Sequence, residues 1–369
     1  MTELQTKYGK VKIYAKNLED TALVQITQLA NSKLGKGANI RIMPDAHAGA
    51  GCVIGTTMLV VDKVCPNLVG VDIGCGVDLI KTNIDFKNKL QQLDNTIRKF
   101  VPFGKSHHNN PQTYRDFAKL KCWDKLKAAT KETAIRSLGT LGGGNHFIEA
   151  YSDGYLAVHS GSRNIGFKVA EYYQTLAEQT ITEEENSEKS PKSLAFLVGE
   201  NMKDYLHDMN IMQAFAVANR KAMLDNIVAR MGGEILSQIT STHNYIDIQQ
   251  NAITLRKGAI SAQKGQELVI PLNMRDGLLV CVGLGNPDWN YSAPHGAGRL
   301  YSRSKAKSIL KLEDYKATMK GIFSSCINRD TLDEAPFAYK DYKEIIELIK
   351  PTVDIKERLV PIFNFKASE

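Results

Sequence analysis

The sequence predicts an α+β fold in a single large domain spanning residues 1–369. Segments with helical apolar spacing are mixed with short β-branched runs. The two kinds do not alternate as the βαβ units of a parallel sheet would. No repeat, Gly/Ser linker or shift in composition divides the chain.

Helical spacing covers Leu18–Ala30 and Phe86–Phe100. Short strands are expected at Ile40–Met43, Thr57–Val61, Val69–Thr82, Tyr155–Val158, Ala252–Leu255, Leu268–Leu272, Gly277–Gly283 and Arg358–Phe365. The largest helical block runs over about 167–231, with a polar interruption at Thr182–Lys192, and Pro191 marks the start of its second half. It reads as a helical insertion beside the sheet core.

With 43% hydrophobic and 24% charged residues, the composition excludes disordered, collagen-like and low-complexity classes. A chain of 369 residues can bury a core without disulfide or metal staples. Lys and Arg exceed Asp and Glu by 47 to 40, a net charge of +7 that suits a local phosphate-binding patch without demanding one. No apolar run opens the chain or reaches the ~18 residues of a membrane span. The six cysteines form no CxxC pair. A cytoplasmic protein with reduced thiols, away from membranes, is expected.

The chemistry-bearing residues lie in short glycine-flanked segments. Asp45 and His47 sit in Pro-Asp-Ala-His-Ala-Gly, Asp72 and Cys75 in Asp-Ile-Gly-Cys-Gly, and Asn145, His146 and Glu149 behind three glycines. His159 precedes Ser-Gly-Ser-Arg, ending at Arg163; His243 and Asn244 are adjacent; His295 is followed by Gly296, Ala297, Gly298 and Arg299. Each segment alone also fits a plainer role: a Pro-Asp turn, a buried structural cysteine, a loop before a strand.

Together they offer a thiolate, a carboxylate and several imidazoles, enough for two metal ions, with Arg163, Arg256, Lys257, Arg299 and Arg303 to meet phosphates. Ligand softness alone points to zinc first. The residues read as a metal-dependent phosphoryl-transfer enzyme acting on a nucleotide or nucleic acid.

The ordered set, from about Asp45 to Lys366, resembles the RtcB-type RNA-splicing ligases. The resemblance implies a GTP- and Mn²⁺-dependent enzyme joining RNA 3′-phosphate or 2′,3′-cyclic phosphate ends to 5′-hydroxyl ends. It implies one manganese on Asp72, Cys75 and His146, and a second on Cys75, His159 and His243. His295 would carry GMP. Asn145 to Glu149 (with His146, Phe147 and Ile148), His243, Asn244, Pro271, Leu272, Asn273, Met274, Gly296, Ala297, Gly298, Tyr339 and Lys366 would contact the nucleotide. Asp45, His47, Arg163, Lys257 and Arg299 are candidate RNA or phosphate contacts.

One stretch departs from the family. Where members commonly carry Pro-Gly-Ser-Met-Gly and a later serine, this chain has Pro271-Leu272-Asn273-Met274-Arg275-Asp276-Gly277-Leu278. Asn273 could still donate a hydrogen bond; Leu278 cannot. This stretch resembles a branch encoded beside a release-factor homologue and suspected of RNA repair, ribosomal RNA included, rather than tRNA splicing. A two-metal phosphoesterase or nuclease that never uses GTP, and an RNA-binding protein with a decayed site, are the rival readings.

Overall fold

The computed structural model describes residues 1–180, 191–249 and 252–367. A hairpin, β1 (Thr2–Thr6) and β2 (Gly9–Ile13), precedes helix α1 (Asp20–Asn31). Strands β3 (Asn39–His47), β4 (Ile54–Val60) and β5 (Gly76–Thr82) lead to helices α2 (Leu90–Phe100) and α3 (Ala128–Ala134). The hairpin β6 (Phe147–Tyr151) and β7 (Tyr155–Ser160) feeds two long helices, α4 (Arg163–Thr180) and α5 (Gly199–Met231). Strands β8 (Ile235–Thr242), β9 (Asn244–Gln249), β10 (Ala252–Lys257), β11 (Ala259–Ser261), β12 (Glu267–Asn273), β13 (Gly277–Gly283) and β14 (Ser292–Pro294) follow. Short helices α6 (Arg303–Ile309), α7 (Leu312–Thr318) and α8 (Tyr342–Ile349) precede the final strands, β15 (Val353–Leu359) and β16 (Pro361–Lys366).

The strands form a six-stranded sheet (β1-β2-β3-β4-β10-β9), a five-stranded sheet (β16-β6-β7-β5-β8) and smaller sheets β12-β13-β15 and β11-β14. Among these named strands only β2 and β3 pair in parallel. Predominantly antiparallel sheets with interspersed helices are the predicted α+β class.

Three differences from expectation shape the site. Only the second half of Val69–Thr82 is strand. Gly70 and Gly74 adopt φ of +96° and +72°, so the chain loops through residues 70–75 before β5 begins. Arg358–Phe365 breaks at Val360 into two strands of different sheets, β15 against β13 and β16 against β6. Pro191 caps a single 3-10 turn, Lys192–Leu194, and α5 starts only at Gly199. The rest of the expected interruption, through residue 190, lies outside the described residues.

The helical block is no peripheral insertion. α5 buries Tyr205, Met209, Met212, Phe215, Ala216, Asn219, Arg220, Met223, Leu224 and Ile227 along one stripe with i, i+3, i+4 spacing. Its two ends join different apolar clusters, one under the six-stranded sheet and one under the five-stranded sheet. Where the stripe passes between them it turns polar, at Asn219 and Arg220. No helix among the described residues is long and apolar enough to cross a membrane.

Candidate metal and nucleotide site

Sheet register delivers the site. In the five-stranded sheet Lys366 pairs with Phe147, Phe147 with His159, and Gly76 with both Ser160 and Thr242. The residues at or just beyond these positions are Lys366, His146, His159, Cys75 and His243. Antiparallel pairing therefore brings side chains far apart in sequence to one end of one sheet. His243 is also the single residue between β8 and β9, where the chain passes into the six-stranded sheet.

Five donors form a continuous row. Asp72 Oδ2 lies 3.1 Å from His146 Nε2, which lies 3.5 Å from Cys75 Sγ. Cys75 Sγ lies 3.3 Å from His159 Nε2, which lies 3.4 Å from His243 Nε2. The donor atoms of Cys75, His146 and His159 fall within 4.8 Å of one another, and all three residues are buried. His146 Nδ1 bonds the Leu141 carbonyl at 2.8 Å and His159 Nδ1 the Asn145 carbonyl at 3.0 Å. A carbonyl only accepts, so each Nδ1 carries the proton and Nε2 keeps its lone pair for a metal. Burial holds His159 and His243 well below the usual imidazole range, hence neutral.

Burial and the Asp72 charge push the Cys75 thiol well above its ordinary range. A bound cation reverses that, because a coordinating thiol is deprotonated. Burial would raise Asp72 too, but a protonated His146 donating from Nε2, with Arg163 behind, brings it down to about 2; a metal on Nε2 would take the place of that proton. The donor set fits a metal.

The loops carrying these donors are packed to fine tolerance. A Cβ on Gly161 would sit 2.2 Å from both Asp72 carboxylate oxygens. Ser162 N–H donates to Asp72 Oδ1 at 2.9 Å. Beneath, the polar pair on α5 ties the loops together. Arg220 donates to the Gly74 and Ser160 carbonyls and lies 3.0 Å from Asp78. The Asn219 amide bonds the backbone at Gly139, Thr140 and Gly161.

β14 ends at Pro294 and presents His295 beside this row, its ring centroid 4.9 Å from that of His243. Asp45, fully buried, places Oδ2 2.6 Å from His295 Nδ1. Charge pairing at this distance favours the proton on Nδ1 and leaves Nε2 as the basic nitrogen. Lys340 donates to the carbonyls of Pro44 and Ala46, bracing Asp45 from both sides. Gly298 is needed here, at φ +77° with a Cβ position 2.3 Å from the Asp45 carbonyl oxygen. His47 stands over His295, and burial lowers it to about 4, so it is neutral.

A cavity of about 500 Å³ opens over both groups, the size of an ordinary small-ligand pocket. Its far wall holds Phe147, Tyr339, Lys366 and Arg299, and its rim the hairpin residues Pro271–Met274. Glu149 also lines it; burial raises this carboxyl to about 7, although Tyr151 and Asn364 donate to its two oxygens.

A family model for the tRNA-splicing ligase RtcB matches residues 25–121 and 113–367. The chain is 31% identical to the RNA-splicing ligase RtcB of Escherichia coli (strain K12), covering 95% of this chain and 96% of that one. The chain belongs to the RtcB family. It is also similar to the tRNA-splicing ligases RtcB of Aeropyrum pernix (27% identical, 83% of each chain) and Nanoarchaeum equitans (26% identical, 92% and 90%).

Of the residues expected from the RtcB resemblance, Asp72, Cys75, His159, His243, Asn145, Phe147, Glu149, Asn244, Pro271, Leu272, Asn273, Met274, His295, Gly296, Ala297, Gly298, Tyr339 and Lys366 all line the cavity, as do His47, Lys257 and Arg299. His146 lies just behind, bonded to Asp72 and Cys75.

Others stand differently. Ile148 points into the apolar core, as strand alternation on β6 requires. Asp45 is fully buried against His295 and does not line the cavity. Arg163 packs its guanidinium on Gly142, bonds Thr140, and acts on Asp72 electrostatically from outside the cavity lining. Arg299 spends its nitrogens on Glu334, the Asp333 carbonyl and the Tyr301 carbonyl. Asn273 commits one of its two amide hydrogens. Its Oδ1 caps the Arg275 and Asp276 N–H groups, and its amide donates to Asp276. Arg275 is likewise tied to Asp276 and Thr318.

Sequence reasoning missed Glu334, Lys340, Asn219 and Arg220. The signal available was the position of Glu334 five residues before Tyr339, which carries nothing until the fold folds it back.

Proposed function

We propose that this chain is an RNA ligase that uses GTP and Mn²⁺ to join RNA 3′-phosphate or 2′,3′-cyclic phosphate ends to 5′-hydroxyl ends, through GMP carried on His295. The observation that carries the proposal is the Asp45–His295 pair. A buried carboxylate on Nδ1 and a cavity beside a five-donor row are what a nucleophilic imidazole next to a metal centre needs. In a hydrolase such a pair would serve as a general base to water, so retained covalent label is what separates the two readings.

One ion would sit on Asp72, Cys75 and His146 and the other on Cys75, His159 and His243. Such ions polarise phosphate oxygens and neutralise developing charge. The carboxylate and the phosphate oxygens favour a harder ion than zinc, in keeping with manganese.

His295 Nε2 attacks the α-phosphate of GTP. An N–P bond forms, the α–β phosphoanhydride breaks and pyrophosphate leaves. His295 keeps its proton on Nδ1, and the Asp45 carboxylate stabilises the positive charge that the imidazole gains. A cyclic end is first opened by water, which breaks the P–O2′ bond and frees the 2′-hydroxyl; the RNA 3′-phosphate then takes GMP from His295, and the 5′-hydroxyl displaces GMP. Lys257, held by the Ala50 carbonyl and Cys52, keeps a cation at the wall beside this path. Tyr339, Phe147 and Lys366 supply the base end, and the protein acts without a membrane.

The test is to incubate the protein with GTP labelled at the α-phosphate and Mn²⁺, denature it, and look for retained label. Covalent label is the expected result. Its absence, with RNA phosphate ends still hydrolysed, would favour a GTP-independent phosphoesterase.

A further inference from the structure

Three cavity-lining side chains from separate segments converge on one carboxylate that does not itself line the cavity. Glu334 is 2% exposed and ends a short 3-10 turn. Its Oε2 accepts from the Tyr339 hydroxyl at 2.6 Å and from Lys366 Nζ at 2.7 Å. Its Oε1 accepts from Arg299 at 2.9 Å. Lys366 ends the last strand, Arg299 follows His295, and Arg299 and Tyr339 also meet through a backbone bridge.

The consequence is chemical as well as structural. An ammonium has three N–H donors and no acceptor. Lys366 commits one to Glu334 and makes a long contact of 3.5 Å to the Asn145 carbonyl, so a donor remains for the cavity. The Tyr339 proton is committed to Glu334 as well.

We propose that Glu334 is the positioning residue that sets base selectivity in this cavity. By fixing Lys366 as an oriented donor, it favours a purine with a carbonyl oxygen at that edge over one with an amino group. Guanine presents an acceptor there, O6, and adenine a donor, N6–H₂. Two donors face to face leave both unpaired, which polar sites reject strongly. The proposal rests on the nucleotide reading given above.

The test measures rates of covalent labelling of the full chain with Mn²⁺ against GTP and ATP concentration. It compares wild type, Glu334→Gln, Glu334→Asp, Lys366→Met and the double variant Glu334→Gln/Lys366→Met. Glu334→Gln should lower the GTP-to-ATP ratio of kcat/KM at least about tenfold, the scale of losing a charged hydrogen bond, mainly through KM for GTP. Metal content should not change. Glu334→Asp, which keeps the charge, should be intermediate. The double variant should match Lys366→Met, since both act on one contact.

An unchanged ratio in Glu334→Gln, or losses that multiply in the double variant, would overturn the proposal. If thermal denaturation shows Glu334→Gln to be unfolded, the Glu334→Asp ratio decides on the same criterion. Failure of the wild type to label with either nucleotide would refute the nucleotide reading itself, a separate outcome.

Discussion

At the scale of residues, three buried carboxyls and the half-buried Asp72 are handled in different ways. Asp45 meets His295; Asp72 meets His146 with Arg163 nearby; Glu334 meets Lys366 and Arg299; Glu149 meets only the neutral donors Tyr151 and Asn364, with Lys366 acting on it by charge. Burial opposes ionisation in Glu334, but Lys366 and Arg299 outweigh it and bring the group from 4.5 to about 2. Burial wins at Glu149, which rises from 4.5 to about 7. The two must therefore respond to pH with opposite sign. Glu334 contributes stability above about 4.5 that is lost as pH falls toward about 2. Glu149 favours its neutral form, so its contribution is complete below about 4.5 and lost as pH rises to about 7. Thermal denaturation should show wild type losing ground to Glu149→Gln between about pH 5 and about pH 8. A constant difference across that range would contradict the assignment. A second expectation concerns Cys75, the centre of the donor row. Cys75→Ala should lose bound manganese and nucleotide transfer together while the fold persists, and metal analysis after gel filtration checks it. Cys75, His146 and His295 were legible in sequence only as members of an ordered set, because each glycine-flanked segment alone also fits a plainer role. Glu334 and Lys340 were not, because each acts through another side chain or a backbone carbonyl.

At the scale of elements, the decisive one is α5. Its core positions are apolar except at Asp208 and at Asn219 and Arg220, and the last two underlie the donor loops. Asn219→Ala would strand the Gly139, Thr140 and Gly161 backbone groups. The expected cost is about 1–3 kcal/mol of stability and at least about tenfold weaker metal retention. Denaturant unfolding and metal competition against a chelator would measure both, and unchanged metal retention would remove Asn219 from its supporting role. Long periodic helices were legible from spacing alone, as were strands rich in Val and Ile. β6 was not read as a strand, because chemistry-bearing residues dominate its sequence. β5 was read too early, because the apolar residues before it belong to a loop whose positive-φ glycines break the strand. The central path of α5 could not be read from its pattern, since a stripe does not say which sheets it meets.

At the scale of the whole molecule, the site exists because one sheet end, one crossover residue and one short strand meet. Periodicity predicts strands but not their register, so the convergence of Lys366, Phe147, His159 and Cys75 was outside what spacing could reveal. The hairpin at Pro271–Leu278 closes on its own side chains, which leaves Arg275 with no free donor role in the cavity. The repair reading therefore rests on the sequence of that hairpin, and substrate choice should be measured directly. A nicked structured RNA should be sealed at least as well as paired tRNA exon halves; strong preference for the tRNA halves would return the chain to splicing. The central claim is that His295 carries GMP, and the most direct measurement splits the reaction at that residue. His295→Ala should form no covalent GMP adduct and should not join 3′-phosphate ends. It should still seal RNA supplied with a 3′-guanylylated end, since that step does not need the imidazole as nucleophile. An acid-labile GMP adduct persisting on the His295→Ala protein would contradict the account.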